Sequence, residues 1–368
     1  MRYLSLFSGI EAVTVAWKPL GWECVAVAEI LPYQSSVINH HFPDIINLGD
    51  VTKIGEDEIK QLGKIDVVVF GSPCQDMSIA GKRQGLDTIK DDTNHSSVLF
   101  YEGVRIFRLA QKHCGARYML WENVAGALSS QEGRDFGKVL TELVGVKFGD
   151  NGLVWGNEGI VCGRDSMCEW AVLDAQWFGV PQRRRRVFTL LDTGDWRSRR
   201  PILLEAEHLR KVVGEDKEKR SNNTKRLGDR SAKYSGQNVR TFDRQAIAQW
   251  GDSNVASTVS ARDWKSATDL VAYGLMGNWI GRAPENGGNA TEPSVNISPC
   301  ITATDQHAVV YGSQVRRLTP VETERLQGFP DNWTNIGNPS IAKRYNALGR
   351  SMAVPVMEWI GKKIMEAI

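Results

Sequence analysis

The stretch Asp66-Val-Val-Val-Phe-Gly-Ser-Pro-Cys-Gln75 decides how this chain is read. Its apolar, β-branched run is the pattern of a strand buried in a parallel sheet, and Gly-Ser-Pro ends it. That turn throws Cys74 onto the carboxyl edge of the sheet, where α/β enzymes keep their reactive groups. Cys74 is therefore a candidate nucleophile, set against the plainer reading of a small buried core thiol. Tyr118-Met-Leu-Trp-Glu-Asn-Val124 repeats the arrangement, an apolar strand that ends in an acid, Glu122, at the same kind of edge.

Outward from these two strands, strand-like and helix-like segments alternate. Tyr3 to Phe7 predicts a strand, Ser8-Gly9 a turn, and Glu11 to Leu20 a helix with Ala12, Val13, Ala16, Trp17 and Leu20 on one face. Cys24 to Ala28 is a strand ending at Glu29, and Ile65 to Phe70 is the next. Val104 to Ala110 is helical, Tyr118 to Trp121 a strand, and Glu169 to Leu173 and Arg186 to Leu191 follow around Gly179-Val-Pro181. The alternation predicts a doubly wound parallel α/β sheet. Pro355 starts a last helix whose Val356, Ile360 and Ile364 share a face, and this helix can cover the first strand from the far end of the chain.

At 368 residues the chain is long enough for one large and one smaller domain, and 45 basic against 43 acidic residues leave it nearly neutral. Nucleic-acid binding must then come from local patches. Six cysteines include no Cys-x-x-Cys pair and no neighbouring histidines at metal-ligand spacing, so no metal is expected. The first residues enter a strand without a cleavable apolar leader, and no apolar run approaches membrane-spanning length. These features predict a soluble protein of a reducing, cytoplasmic compartment.

Composition shifts after Asp192. Between Arg197 and Lys233 twelve basic residues face six acidic ones, a local charge of +6 that suits a phosphate backbone or, equally, a solvated linker. Beyond it, Ala256 to Asp263 and Asp269 to Gly274 echo Ser298 to Asp305 and Ala308 to Gly312, both β-rich. Residues 193 to 312 thus read as an inserted second domain.

Phe7-Ser-Gly9 after the first strand, Glu29 ending the second and Asp50 in Gly49-Asp-Val51 suit a nucleoside cofactor. A small turn lets the cofactor approach backbone amides, one acid can bind ribose hydroxyls, and another can reach an adenine amino group. A full Gly-x-Gly-x-x-Gly is missing.

With these motifs assembled, the chain resembles the DNA (cytosine-5)-methyltransferases. The resemblance is carried by Leu6-Phe-Ser-Gly-Ile10, Glu29, Gly49-Asp-Val51, Gly71-Ser-Pro-Cys-Gln75, Trp121-Glu-Asn-Val124, Pro181-Gln-Arg-Arg-Arg-Arg-Val-Phe188, Arg317 to Pro330, and Tyr345-Asn-Ala-Leu-Gly-Arg-Ser351. It implies a Rossmann-like, doubly wound methyltransferase sheet with a smaller, β-rich target-recognition domain. Residues 1–192 plus 340–368 would form the catalytic domain, and 193–339 the target-recognition domain, including a hinge motif at 316–330. It implies S-adenosyl-L-methionine as cofactor, double-stranded DNA as partner, a monomer, and DNA modification, in a restriction-modification system, in protection of invading DNA or as a mark on a host genome.

The resemblance also assigns roles. Cytosine C5 is too weak a nucleophile for a sulfonium methyl, so Cys74 adds to C6 first, and a carboxylic acid at N3, Glu122, makes that addition feasible. Alternation sends Arg184 and Arg186 to one strand face and Arg183 and Arg185 to the other. Arg186 is expected near cytosine O2, and Arg184 near the catalytic loop or backbone. Cofactor contacts are implied for Phe7, Gly9, Ile10, Glu29, Ile30, Asp50, Val51, Pro73, Leu99, Arg350 and Ser351. The base must flip out of the duplex, and Gln75 to about Ser97 has the length of a loop that could close behind it. Gln75, Ser78, Gly81, Lys82 and Gln182 are the implied DNA contacts.

Two departures from the family pattern stand out. Ser5 replaces a common Asp, and Arg350 occupies the Asn position of Gly-Asn-Ser. At about 5 Å and an effective dielectric of about 20, a guanidinium and a sulfonium repel by roughly 3 kcal/mol. Either Arg350 turns to a phosphate or an acidic neighbour, or the cofactor carries an anion, as in carboxy-S-adenosyl-L-methionine, giving 5-carboxymethylcytosine. An RNA cytosine methyltransferase and a catalytically silent DNA-binding homologue are the remaining alternatives.

Overall fold

The computed structural model describes residues 1–73, 96–149, 153–204, 241–243, 251–253, 269–270, 272–275, 294–295, 298, 300–301, 308–311 and 314–368. Cys74, Gln75, Ser78, Gly81, Lys82 and nearly all of the expected closing loop lie outside the described residues.

Eight strands form the main sheet: β1 (Arg2–Leu6), β2 (Glu23–Ala28), β3 (Ile46–Asn47), β4 (Val67–Phe70), β5 (Tyr118–Val124), β6 (Glu158–Cys162), β7 (Met167–Asp174) and β8 (Arg185–Asp192). Their order is β3-β2-β1-β4-β5-β8-β7-β6. The first five run parallel, while β8 runs antiparallel to β5 and β7 to β8 and β6. The expectation of a parallel sheet therefore holds for one side only. The cause is connection length: β6 to β7 is a short hairpin and β7 to β8 a brief link through a 3-10 turn, whereas a parallel return needs a crossover of a dozen or more residues.

Alternate strand residues feed two cores. Leu4, Leu6, Val68, Phe70, Met119 and Trp121 pack with helices α3 (Glu56–Gln61), α4 (Ser96–Cys114) and α5 (Arg134–Val144). Tyr3, Val67, Val69, Tyr118 and Leu120 face α1 (Ala12–Trp17) and α2 (Pro32–His41). Completing that second layer are α7 (Ile341–Arg350) and α8 (Val354–Glu366), and α6 (Pro320–Gln327) is tied to α7 by Gln327, which donates to the Leu348 carbonyl. The C-terminal helix does return to the first strand's flank: Trp17 donates its indole N–H to the Met357 carbonyl at 2.7 Å, and Ile360 and Ile364 are buried in the same core. No helix among the described residues is long and apolar enough to cross a membrane.

The inserted region holds β9 (Thr241–Asp243), β10 (Gly251–Ser253) and β11 (Asp269–Leu270) in one small sheet. A second contains β12 (Ala272–Leu275), β13 (Ser294–Val295), β14 (Ala308–Tyr311) and β15 (Gln314–Arg317). The second halves of the sequence echo pair with each other, Tyr273 opposite Val310 and Gly274 opposite Val309. One arginine of the basic stretch is not free for phosphates: the Arg199 side chain is buried, paired with Glu169 at 2.9 Å and Asp192 at 2.6 Å. Two buried acids there need a cation more than the surface does.

Candidate active site

Because β1, β2, β4 and β5 are parallel, their carboxyl ends open on one edge of the sheet, and antiparallel β8 brings its beginning there too. Val124 lies opposite Arg186, which is why an arginine at the start of one strand meets a glutamate near the end of another. The edge has two parts.

At the β1–β2 part, the chain turns sharply after Leu6. Phe7 (φ 52°), Gly9 (φ 58°) and Glu11 (φ 62°) all take the left-handed conformation, which costs a non-glycine residue about 1–2 kcal/mol. Compensation comes from Glu29, whose Oε2 accepts the Gly9 N–H at 2.8 Å and whose Oε1 accepts the Leu31 N–H at 2.7 Å. Burial pushes the Glu29 carboxyl up; the Leu31, Gly9 and Ile30 amides and the charge of Arg350 pull the other way. Asn47 fastens the same corner, accepting from the Glu29 and Gly49 amides at 3.0 Å each and donating to the Glu29 carbonyl. Ile30 next to it is 64% exposed, an apolar face left open. Asp50 spends one oxygen on the Thr52 amide and hydroxyl, which hold its carboxyl below the usual range. Val51 is buried in the core and Ile10 likewise, so these two shape the turn from below.

Glu11 is a functional candidate that sequence reasoning missed. It caps α1, accepting from the Thr14 amide at 3.1 Å, the Thr14 hydroxyl at 2.9 Å and the Ser5 hydroxyl at 3.0 Å. Full burial pushes its carboxyl up to about 7, against the pull of those hydrogen bonds. This gives Ser5 a physical reason: a hydroxyl there donates to Glu11, whereas an Asp would set two carboxylates face to face. The signal was present in Phe7-Ser-Gly-Ile-Glu11, an acid at a helix start.

At the β4–β5 part, Gly71-Ser72-Pro73 lies against β5. A Cβ on Gly71 would sit 3.0 Å from Glu122 Oε2 and 3.0 Å from the Met352 methyl, so a larger residue there would push the Glu122 carboxylate from its place. Trp121 donates its indole N–H to Ser72 Oγ at 3.0 Å, and Asn123, also missed from sequence, turns its amide toward the same residue. Glu122 Oε1 is paired with Arg186 Nε at 3.1 Å, with both side chains mostly buried. Leu99 packs beside this core from α4, which follows Pro73 after the residues left undescribed.

The arginine run alternates as expected: Gln182 and Arg184 are buried, Arg186 half-buried, Arg183 and Arg185 exposed. Arg184 reaches backbone instead of the open edge. It donates to the carbonyls of Ile301 (3.0 Å), Gly349 (3.1 Å) and Ser351 (2.7 Å). Gln182, expected to touch DNA, is fully enclosed: its amide donates to the Leu326 carbonyl at 2.8 Å and accepts from the Ile301 amide at 3.2 Å. With both ends of the amide bonded internally, it has no polar atom to offer a duplex in this conformation. Ser351 is buried, whereas Arg350 is exposed at the end of α7, within electrostatic reach of Glu29. Among the described residues no cluster of His, Cys, Asp or Glu could hold a metal ion.

A family model described as C-5 cytosine-specific DNA methylase matches residues 1–366. A relative from Escherichia phage P1, named DNA N-6-adenine-methyltransferase, is 32% identical across the whole chain, which spans only 61% of that relative's length. The type II methyltransferase M.HpaII of Haemophilus parainfluenzae is 28% identical over 100% of the chain and 89% of its own. Among solved structures, the S. pombe Dnmt2 methyltransferase matches with a TM-score of 0.56 at 16% identity, covering 100% of this chain and 99% of its own. A putative DNA modification methyltransferase from an E. coli prophage matches with a TM-score of 0.55 at 17% identity, covering 100% and 99%. At those identities the structural matches speak for the fold.

Proposed function

Because the chain belongs to the C-5 cytosine-specific DNA methylase family, we propose that it transfers a methyl group from S-adenosylmethionine to C5 of a cytosine flipped out of duplex DNA. The observation that carries this reading is the Glu122–Arg186 pair at the strand edge, beside the Gly71-Ser72-Pro73 turn that leads into Cys74.

Cys74 is the nucleophile. Its thiolate adds to cytosine C6, the C5–C6 π electrons shift onto C5, and C5 becomes enamine-like. Glu122 holds a proton at N3, which accepts the charge that the addition builds in the ring. Arg186, fixed by Glu122, faces O2, and Arg184 acts on the site as a positioning residue through the carbonyls of 301, 349 and 351. S-adenosylmethionine, when bound, supplies the electrophilic methyl that C5 takes. Loss of the C5 proton and departure of the thiolate restore Cys74.

Several features support the cofactor. The left-handed turn at Phe7 and Gly9 leaves open space beside Gly9, Glu29 and Asp50 keep acceptor positions for hydroxyl and amino groups, and exposed Ile30 offers an apolar platform for a ring. Arg350 has an acidic neighbour in Glu29, which favours methyl over carboxymethyl transfer. Residues 1–192 with 340–368 are the catalytic part and 193–339 the DNA-reading part, whose small β-sheets fit a role in target recognition.

The test incubates the protein with duplex DNA containing 5-fluorocytosine and weighs modified nucleosides from unsubstituted DNA, with either S-adenosylmethionine or its carboxy form. The expected results are a covalent adduct that Cys74→Ala abolishes, and 5-methylcytosine. N6-methyladenine as the product, or no adduct on any DNA, overturns the reading. Preference for RNA in competition, or 5-carboxymethylcytosine, selects the corresponding alternative.

A further inference from the structure

We infer that Ser298, Cys300 and Ile301 form a clasp that positions Arg186 through Cys300, so that seating the inserted region aims the arginine that faces the target base. The inference rests on the role proposed for Arg186.

The clasp is built from backbone. Ser298 runs parallel beside Gln182, donating its N–H to the Pro181 carbonyl at 2.8 Å and accepting the Arg183 N–H at 3.1 Å. The Ile301 N–H is held by Gln182 Oε1 at 3.2 Å, and the Ile301 carbonyl by Arg184 Nη1 at 3.0 Å. Gln182 is itself tied to the Leu326 carbonyl at the end of α6. Cys300 thus lies between two backbone anchors, Ser298 and Ile301, neither of them in a named strand, and these hold the place from which its side chain starts.

It points at the arginines. Cys300 Sγ lies 3.4 Å from Arg184 Nη1 and 3.8 Å from Arg186 Nη2. Arg186 then has a different acceptor for each nitrogen: Glu122 at Nε (3.1 Å), the Arg185 carbonyl at Nη1 (2.9 Å) and Cys300 at Nη2. Three acceptors around one planar fork define its plane, which a carboxylate alone does not. The thiol is also unlike its counterparts. Burial pushes Cys24, Cys114 and Cys168 up; at Cys300 burial pulls the same way, but the charges of Arg184 and Arg186 outweigh it and leave the thiol below its ordinary range. A sulfur leaning toward thiolate is a stronger acceptor for a guanidinium than a neutral one.

Residue 300 follows the paired strands of the insertion and precedes β14, so the contact is made by the part of the chain proposed to read DNA. The experiment compares native protein, Cys300→Ala, Cys300→Ser and Arg186→Gln. Site-resolved alkylation with iodoacetamide, followed by peptide mass mapping across pH, should show Cys300 reacting at lower pH than an unfolded control. Arg186→Gln should move that profile upward. In turnover, Cys300→Ala should lower kcat about tenfold with KM for cofactor and Kd for duplex changed less than about twofold, as expected when an aligned group is misplaced. Cys300→Ser, which keeps an acceptor, should recover most of the rate. An alkylation profile that Arg186→Gln leaves unchanged, a Cys300→Ala enzyme with native kcat, or a loss of kcat, affinity and thermal stability together overturns the inference. A native protein that modifies no cytosine defeats the functional reading instead, and the alkylation comparison still decides whether the clasp exists.

Discussion

At the β1–β2 edge the side-chain bonds of Glu29 and Asn47 span 20 residues of sequence or fewer, whereas at the β5–β8 edge Arg184 reaches across 167 to the Ser351 carbonyl. The first edge is a local construction: a left-handed turn, one buried acid that gathers two amides, and an asparagine that fastens the corner. The second exists only once residues 71–73, 122, 184–186, 300–301 and 349–351 have come together. Cofactor binding should therefore tolerate damage elsewhere in the fold, while base chemistry should be fragile and cooperative.

The largest test of that separation is Glu122→Gln. It keeps the shape and removes the proton proposed to be held at cytosine N3, so turnover should fall about 100- to 10,000-fold, the usual worth of a positioned acid or base. Cofactor affinity, measured by equilibrium titration, should stay within about twofold. Equal loss of both would mean that the two edges are one unit. Arg184→Met follows, acting on stability. Three carbonyls would be left without their donor, at about 1–3 kcal/mol each, while relief of a buried guanidinium gives some of that back; a net loss of about 3 kcal/mol in the urea unfolding free energy is expected. Its kcat should fall further than its cofactor affinity.

Glu11 probes the cofactor edge in turn. Its folded carboxyl sits at about 7, above the ordinary value, so the neutral form is the one the fold prefers. Stability from this group is present in full below the unfolded value and is lost as pH rises through the folded one. Between mildly acidic and mildly alkaline pH the native protein should lose about 2 kcal/mol from this source, and Glu11→Gln should flatten that slope. Tyr3 and Cys24 also face this pocket, but burial pushes both of them up, out of this window. A slope unchanged in Glu11→Gln would show that another group carries it.

The same contrast explains what could be read from sequence. Strands β1, β2, β4 and β5 were legible because β-branched runs end in recognisable turns, and Glu29, Asp50, Gly71 and Glu122 sit at those ends. Helix α2 escaped, since Pro32 to His41 carries little apolar periodicity, and α5 was not singled out although Phe136, Val139, Leu140 and Leu143 follow helical spacing. The reversal of β8 hid in the length of its connection. Arg184 and Arg186 were assigned to one face by alternation, but nothing local says that one meets three carbonyls and the other a glutamate and a thiol. Cys300 was one of six cysteines until a contact spanning more than a hundred residues distinguished it.

Arg350→Asn should have the smallest effect, and it asks whether the edges touch. Arg350 is exposed on α7, and its charge reaches Glu29 only as the last of several influences, behind burial and three backbone amides. Water screens an exposed guanidinium strongly, so folding stability should change by less than about 1 kcal/mol. Removing the positive charge takes away one influence that favours the Glu29 carboxylate, so the carboxyl should move further above its ordinary value. Cofactor affinity that requires ionised Glu29 would then fail at a higher pH on acidification than in the native protein, with the rate at saturating cofactor nearly unchanged. A large drop in kcat for Arg350→Asn would instead place this side chain in the chemistry of the base, because α7 ends in the Gly349 and Ser351 carbonyls that Arg184 holds. The end of that helix would then join the two edges, and their independence would be lost at this one residue.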